Sequence, residues 1–551
     1  MNCSPGKILL MLVITVILSN ISTKCWALAS NNIPLDSPIY FYLEKLEAFD
    51  LIATDFKGIR PYSRAEAARL ITEAEKGLGK LDGSNQVFAE KLLKRLKELI
   101  PREVGLYEEP DKAPVFDCNP IVGARLRYVY LEGAPRSYER PVHDPGGDGV
   151  FGIGSGLRPV NPYPTVTQQH GTEGTPLLEN NEGNVYHSGH NVEFRLSGEA
   201  YVKSYASALI EPLFLYSRGT DSRQLLLNKG YLKLGGGGLE LEVGRDANWL
   251  GLGYRGAITM TNNARNLDLV KISSPEPISS RYLWDVKYSL IVSRLDDTFI
   301  GGQERRPYFL AAKLSFLPNP NVEFGFNYGK EFGGPGVNNS VGAYFKGIFG
   351  GTSSDNTNNL AGIELRLRLP FLRNTEIYGE FSGEDSASFW PIVESYIAGF
   401  FIPRLTSDGK NDLRFEYFLG NRILYTNGTF PEGYLYRGMP IGDSQGGAAE
   451  EFFVRYSHWF SPRNRLALEY YHTERGNLGR VPINSSGQFD STGVMQSVER
   501  KNSMRAFWDL PLHGDFDLQL MYGRERINNL NLMAGVNRTN QIFKLDVSYR
   551  Y

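Results

Sequence analysis

The fold is decided by the end of the chain, residues 541–551, which reads QIFKLDVSYRY. Apolar side chains alternate there with mostly charged or polar ones, and the apolar set is Phe543, Leu545, Val547, Tyr549 and Tyr551. Because successive side chains of a β-strand point to opposite faces, this segment has one apolar and one polar face. It therefore predicts a strand that meets two different environments.

The same strand ends in an aromatic residue. A C-terminal strand of this kind resembles the signal by which outer-membrane barrels are recognised for assembly. In this interpretation, lipid contacts the apolar face. The alternative is an amphipathic last strand in the sheet of a soluble protein.

The N-terminus predicts export. Lys7 precedes an apolar run over residues 8–18, and Ala27-Leu28-Ala29 is a small-x-small cleavage site. We therefore predict a secretory signal peptide over residues 1–29, with an uncleaved anchor as the alternative. Cys118 would then be the one cysteine of the mature chain, which excludes an internal disulfide.

Composition narrows the fold class. The 551 residues are 41% hydrophobic and 12% aromatic, and they include 59 glycines. No later apolar run approaches the ~18 residues of a spanning helix, which leaves a soluble β-rich protein or a transmembrane barrel. The net charge of −2 argues against broad capture of nucleic acid, so we expect no nucleic-acid partner.

Residues 30–117 predict a small N-terminal helical domain. One helix is capped by Asp36 or Ser37, and a second opens at a capping box, Ser63 to Glu66, and runs to about residue 76. A third covers residues 84–99 and is expected to stop at Pro101. This domain is either a packing module or a plug on the periplasmic side.

From residue 118 to residue 551 the apolar period changes to two, as in IELRLRL at residues 363–369. Short turn signals alternate with long polar loops, which is typical of outer-membrane barrels. About 434 residues at roughly 24 per strand predict about 18 antiparallel strands. If lipid bathes one face, the charged face requires a hydrated interior; a β-sandwich with its charges outside is the alternative.

The longest insertion, residues 132–190, predicts a large external loop or an inward-folded plug. Its Asp144 and Asp148 are either calcium ligands or part of a plain turn. His187 and His190 are either metal ligands or a solvated pair, and the second reading is favoured, so we expect no metal. Catalytic and cofactor-binding motifs are absent from the sequence, which predicts a protein that is not an enzyme and has no cofactor.

A family resemblance lies in residues 244–277, GRDANWLGLGYRGAITMTNNARNLDLVKISSPEP. This segment resembles the signature of the Wzi capsule-assembly family. The resemblance implies an outer-membrane barrel of about 18 strands, helices that close the pore, and a lectin that holds capsular polysaccharide. Residues 132–190 are longer than expected for the best-known members, which leaves the shape of the outer face open.

The same segment supplies the candidate site. Saccharide sites pair aromatic platforms with amides, carboxylates and arginine forks. On this basis the candidate polysaccharide-binding residues are Arg245, Asp246, Trp249, Tyr254, Asn262, Asn263 and Arg265. The alternative is that the glycines of the segment form a bend and Trp249 packs. Weaker candidates in the outer loops are Tyr434, Tyr436, Arg437, Asn477 and Arg480.

The helical domain also resembles half of an S-layer homology module, which implies contact with peptidoglycan. Together these observations predict a lectin-like outer-membrane barrel that anchors or helps to assemble capsular polysaccharide or exopolysaccharide. A porin or sugar-uptake channel is the alternative on the same scaffold. An outer-membrane hydrolase is a third class.

Overall fold

The computed structural model describes residues 28–147, 160–280, 284–300, 302–343, 357–384, 391 and 393–550. Most of the predicted signal peptide, residues 1–27, lies outside the described residues, as does Asp148. Within the described ranges, no helix combines the length and the apolar character needed to cross a membrane.

Eighteen antiparallel strands form one closed barrel. Closure joins the first strand to the last, with Ala124 opposite Tyr549. The short segment Ile278–Ser280 continues the sixth strand along the seventh. This confirms the predicted fold class and strand number. In chain order the strands are β1 (Asp117–Glu132), β2 (Gly189–Val202), β3 (Ala206–Ser217), β4 (Ser222–Gly236), β5 (Leu239–Asp246), β6 (Leu267–Ser273), β7 (Trp284–Arg294), β8 (Tyr308–Asn319), β9 (Val322–Phe332), β10 (Thr357–Leu369), β11 (Thr375–Glu384), β12 (Val393–Ile402), β13 (Asn411–Gly420), β14 (Ala449–Ser461), β15 (Asn464–Arg475), β16 (Glu499–Pro511), β17 (Phe516–Asn528) and β18 (Asn537–Tyr549).

The two faces of the strands carry the residues that the alternation predicts. In β18, Phe543 is exposed on the outer surface, whereas Lys544 and Asp546 are buried inside. In β10, Leu365 is exposed on the outside and Arg366 is buried in the lumen. The apolar face is therefore the outer one, as a barrel surrounded by lipid requires.

The lumen differs from the hydrated interior that the sequence predicts. On the lumenal side of the wall, Lys313 and Glu364 form a buried ion pair, and Arg366 pairs with Glu47 of the helical domain at 2.8 Å. Buried charges are costly unless they are paired. Many charges of the lumen are thus matched by protein groups, and the expectation of a broadly hydrated interior is corrected here.

Connections differ in length between the two ends of the barrel. At the end that we call the short-turn end, two residues join β8 to β9 and two join β14 to β15. At the opposite end, the long-loop end, residues 421–448 join β13 to β14 and residues 476–498 join β15 to β16. The structure thus has the predicted alternation of short turns and long loops.

In the described part of the chain, four α-helices precede the barrel: α1 (Ile39–Ala48), α2 (Arg64–Gly77), α3 (Gly83–Leu99) and α4 (Pro101–Leu106). The Ser63 hydroxyl accepts a hydrogen bond from the Glu66 amide at 3.1 Å, as the capping box predicts. The Glu66 carboxylate binds Arg69 at 2.9 Å. The prediction that the third helix stops at Pro101 is confirmed, since α3 ends at Leu99. Pro101 then opens the separate helix α4, because proline is tolerated in a first helical turn.

We call residues 28–112, which contain these helices, the helical module. Its apolar core contains Leu46, Ile71 and Leu96, and it continues onto Trp459 of the barrel strand β14. Ion pairs join the module to widely separated parts of the wall near the short-turn end. They are Lys45–Asp412 at 3.0 Å, Arg64–Glu199 at 2.7 Å, Glu66–Lys287 at 3.4 Å and Arg95–Asp517 at 2.9 Å. The module therefore packs against the inner side of the wall at that end.

The long insertion between β1 and β2 combines both predicted forms. Ser137–Gly146 and Val160–Thr172 pair as a hairpin at the long-loop end. Residues 175–187 instead turn into the lumen, where Leu177 and Tyr186 are fully buried. This segment forms one wall of the cavity described below.

Candidate functional site

The candidate residues lie on the connection between β5 and β6, residues 247–266, which we call the inward loop. Although it leaves the wall on the long-loop side, the loop turns into the barrel, and Trp249 and Ile258 are buried. Its backbone pairs with the helical module, with Leu250 opposite Ile59 and Trp249 opposite Arg60. Chain segments entering from the two ends of the barrel therefore meet inside the lumen.

Carboxylates of the wall hold the inward loop in place. Glu416 of β13 accepts hydrogen bonds from the amides of Tyr254 at 2.8 Å and Arg255 at 2.9 Å. Glu380 of β11 accepts one from the Ile258 amide at 3.1 Å. Buried backbone amides need such partners when the loop lacks regular secondary structure. Charged residues of the wall thus fix the course of the loop.

Two glycines of the inward loop are required by close approach. A Cβ atom at Gly253 would overlap the carbonyl oxygen of Gly256, and a Cβ atom at Gly256 would overlap the carboxylate of Asp443. Side chains at either position would force the backbone apart. The glycine-rich signature therefore encodes a tight bend inside the barrel.

The connection between β13 and β14 covers the inward loop from the long-loop side. Tyr425 donates a hydrogen bond to the Ile258 carbonyl at 2.6 Å, and Tyr434 donates one to the Thr259 carbonyl at 3.0 Å. Both tyrosines are buried, as is Tyr436. Tyr434 and Tyr436, which the sequence offered as outer-loop candidates, therefore pack inside the protein.

Asp443 in this covering connection gives a pH prediction. Burial, with Glu451 and Glu416 nearby, raises the pKa of Asp443 to about 8, against a partial lowering by Arg255 and an amide hydrogen bond. Because the folded pKa lies above the unfolded one, the folded protein binds more protons between about pH 4 and pH 8, and its stability falls as pH rises through that window. We expect Asp443→Asn to reduce this loss, as measured by thermal unfolding at pH 5 and pH 9. A wild-type protein equally stable at both pH values would contradict the assignment.

The first two candidate residues, Arg245 and Asp246, lie on opposite sides of the wall at the end of β5. Arg245 lies on the outer surface and forms a two-pronged ion pair with Asp268 at 2.7 Å. Asp246 faces inward, is buried, and accepts a hydrogen bond from Asn32 of the helical module at 2.7 Å. Arg245 is therefore not gathered with the other candidates.

Three candidates at the end of the inward loop fasten it to neighbouring connections. The Asn262 carbonyl accepts a hydrogen bond from the Glu182 amide at 2.8 Å. The Asn263 side chain donates to the Pro440 carbonyl at 3.1 Å, and Arg265 reaches the Asn184 side chain at 3.5 Å. Burial and neighbouring cations lower the pKa of Arg265.

Trp249, Tyr254 and Asn262 come together around a cavity of about 330 Å³ between the helical module and the wall. Arg455 of β14 donates a hydrogen bond to the Tyr254 hydroxyl, and the guanidinium of Arg60 lies 4.6 Å from the centroid of the Trp249 ring. Sequence reasoning missed Arg60 and Arg455, because nothing in their local sequence places them beside the inward loop.

The remaining candidates lie elsewhere. Arg437 is 66% exposed at the long-loop end, where it pairs with Asp296 at 3.3 Å. Arg480 donates to the Gln496 carbonyl at 2.9 Å, and Asn477 lies at the surface beside Glu450 at 3.4 Å. These groups belong to the outer connections and not to the cavity.

The metal hypotheses gain no support from the described residues. No group of three or more histidine, cysteine, aspartate or glutamate side chains among them is arranged to hold a metal ion. His190 lies 2.6 Å from the Tyr128 hydroxyl. His190 is exposed, whereas His187 in the preceding connection is half-buried.

The closed wall and its apolar outer face define the class: a transmembrane β-barrel of 18 strands. The model of the family described as capsule assembly protein Wzi matches residues 158–542, and the chain belongs to this family. Its place is the outer membrane. The short-turn end, which carries the C-terminal strand end, is accordingly called the periplasmic end below.

Two further similarities accompany the family match. A protein of Klebsiella pneumoniae, described as an uncharacterized 55.8 kDa protein in the cps region, is 24% identical over 170 residues, which are 29% of this chain. The match spans 33% of that protein's length. Wzi of Escherichia coli, described as an outer membrane protein involved in group 1 capsule assembly and a carbohydrate-binding β-barrel, matches with a TM-score of 0.62. It is 14% identical, and the match covers 95% of this chain and 99% of that one, which shows a shared fold.

Proposed function

We propose that this barrel is a lectin-like, non-enzymatic protein that anchors capsular polysaccharide or exopolysaccharide at the cell surface or assists its assembly there. Membership of the Wzi family supports a role in capsule assembly. The description of the similar Escherichia coli barrel as carbohydrate-binding supports the binding role. Polysaccharide and outer-membrane lipid are the partners in this proposal.

The observation that carries the proposal is the backbone pairing of the inward loop with the helical module, Trp249–Leu250 with Ile59–Arg60. Chain segments that enter the lumen from both ends and pack there are compatible with a protein that binds its ligand without transporting it. A porin or sugar-uptake channel, the alternative, needs a continuous hydrated path. The packing of the described residues therefore favours the binding protein.

We place the polymer contact on an outer-face cluster at the long-loop end, defined by Asp296, Thr298, Glu432 and Arg437. Glu432 and Arg437 are 49% and 66% exposed in their side chains, and Thr298 donates to Glu432 at 3.2 Å. Carboxylates and a guanidinium of this kind bind sugar hydroxyls and acidic groups from solvent. Most of the seven candidate residues are too buried to meet a long polymer.

The proposal is tested by the amount of polysaccharide that stays on cells. A strain lacking the protein should release polymer into the medium, and the wild-type gene should restore retention. Arg437→Ala should weaken binding of the purified protein to the host polymer about fivefold, or ~1 kcal/mol, as expected for an exposed ionic contact. Arg500→Ala is the matched control, since Arg500 is also exposed and pairs with Glu474.

The same experiment separates the other classes of function. Unchanged retention in the deletion strain would contradict an anchoring role, and unchanged affinity of the Arg437 variant would contradict the outer-face cluster. Shortened polymer after incubation with the purified protein would instead indicate a hydrolase.

Contact between the helical module and peptidoglycan remains a prediction. The geometry of the capping box, residues 63–66, does not support it. Ser63 and Glu66 are buried, and Glu66 is engaged by Arg69 and by Lys287 of the wall. The segment that resembles an S-layer half-module is thus turned toward the barrel.

A further inference from the structure

The cavity beside the inward loop has a shape and chemistry that the proposed anchoring function does not use. Its volume of about 330 Å³ lies at the lower end of the range for small-ligand pockets, roughly 300–1,000 Å³. It is lined by the inward loop, the helical module, residues 178–182 of the β1–β2 insertion and the inner faces of β1, β2 and β14–β18. A ligand the size of a mono- or disaccharide fits such a space.

The cavity opens toward the periplasmic end. Arg463 and Asp517, near the turns of that end, have side chains 21% and 28% exposed, and Asp36 of the helical module is 47% exposed. Deeper lining groups are almost sealed, with Arg195 2% and Glu182 8% exposed. Solvent exposure therefore falls along the cavity from the periplasmic mouth to the interior.

Basic groups outnumber acidic groups in the lining, by ten side chains to eight. Several lining groups neutralise one another, as in Arg127–Asp546 at 2.7 Å and Arg463–Asp517 at 2.7 Å. Arg60 differs: among the described residues it forms no ion pair with a carboxylate, and one of its hydrogen bonds goes to the Gly253 carbonyl at 2.8 Å. The Arg60 Nε atom is buried without a hydrogen-bond acceptor.

Trp249 adds a second unsatisfied donor at the same place. Its indole Nε1 is buried without an acceptor in the described part of the chain, and the residue is 4% exposed. Burial, with Arg414 nearby, also lowers the pKa of Arg60, against a partial raising by Glu44. Two adjacent buried donors, one of them cationic, need an acceptor that carries negative charge.

We propose that this cavity is a saccharide site, separate from the outer face and open to the periplasm, that binds a carboxylated sugar through Arg60 and Trp249. The sugar carboxylate accepts from Arg60 Nε, and the indole N–H donates to the carboxylate or to a neighbouring hydroxyl. The lining also contains the Phe41 ring, which lies 3.8 Å from the Arg465 guanidinium. The site goes beyond the proposed surface anchoring and does not depend on it.

Calorimetric titration of the full chain in detergent tests the site, with digalacturonate as the probe and lactose as the neutral control. Digalacturonate should bind at least about tenfold more tightly than lactose, which is the effect expected of a charge-assisted hydrogen bond. Arg60→Gln should weaken digalacturonate binding about tenfold, and Trp249→Phe should weaken it about threefold while retaining the ring. Arg500→Gln removes an exposed guanidinium outside the cavity and should leave the affinity unchanged.

Equal affinity for the two sugars, or wild-type affinity in the Arg60 variant, would overturn the proposal. Heat-modifiable mobility in gels verifies that each variant is a folded barrel, and Trp249→Phe remains informative if Arg60→Gln fails to fold. Binding of whole host polymer is measured in parallel with Arg437→Ala. A protein that binds digalacturonate but not the polymer would refute the surface function alone, and the reverse result would refute the cavity alone.

Discussion

Removal of residues 31–102 is expected to turn a closed barrel into a conducting one. These residues provide α1 to α3 and the strand segment that pairs with the inward loop. Without them, lumenal charges such as Arg366, Arg368 and Arg414 lose their partners in the helical module and face water instead. Hydrated charges line a pore readily, whereas unpaired buried charges do not persist. Planar bilayers should therefore show steady single-channel steps with the shortened protein and none with the full chain.

As a control for this deletion, heat-modifiable mobility in gels verifies that the shortened protein still folds into a barrel. Additional replacement of the inward loop, residues 247–266, by a short glycine linker should increase the conductance further, because that loop occupies the lumen from the opposite side. If the shortened barrel folds but remains as silent as the full chain, the helical module is not what closes it.

A second large effect is expected from Arg366→Ala. The Arg366 guanidinium lies within ion-pair distance of four carboxylates, those of Glu47 at 2.8 Å, Glu323 at 3.1 Å, Glu376 at 3.4 Å and Asp55 at 3.6 Å. Removing one partner of a buried ionic cluster leaves uncompensated charge and costs about 3–5 kcal/mol. This loss of stability affects the contact between the module and the wall, because Glu47 and Asp55 belong to the module. We expect the module to detach at a lower urea concentration, measured as protease cleavage within residues 31–102.

Arg500→Ala again serves as the matched control. Arg500 is 52% exposed and pairs with Glu474 at 2.7 Å, and an exposed pair of this kind contributes less than about 1 kcal/mol. A loss in the Arg366 variant no larger than in this control would show that the buried cluster does not hold the module in the barrel.

Much of the scaffold could be predicted from local pattern. Alternation in residues 363–369 identified the outward and lumenal sides of β10, because a strand places successive side chains on opposite faces. Ser63 identified the start of α2, because a serine hydroxyl satisfies a free helix amide. The glycine-rich signature located a loop of special geometry, although it did not indicate the direction in which that loop runs.

The candidate site was only partly predictable. Trp249, Tyr254 and Asn262 do line one cavity, but Arg245 points to the outside and Tyr434 is buried under the outer connections. Arg60, a lining cation that forms no ion pair with a carboxylate among the described residues, carries no local signal, since it lies 189 positions before Trp249 in the chain.

The sequence by itself determined the period of the strands, their number, the ends that carry short turns and long loops, and the helical nature of the N-terminal region. These are properties of neighbouring residues, and local geometry suffices to specify them. Only the tertiary structure decided what fills the barrel. For many lumenal charges, the partner is a group that lies far away in the chain, often by hundreds of residues. Pairing between such groups offsets the free-energy cost of burying so many charges.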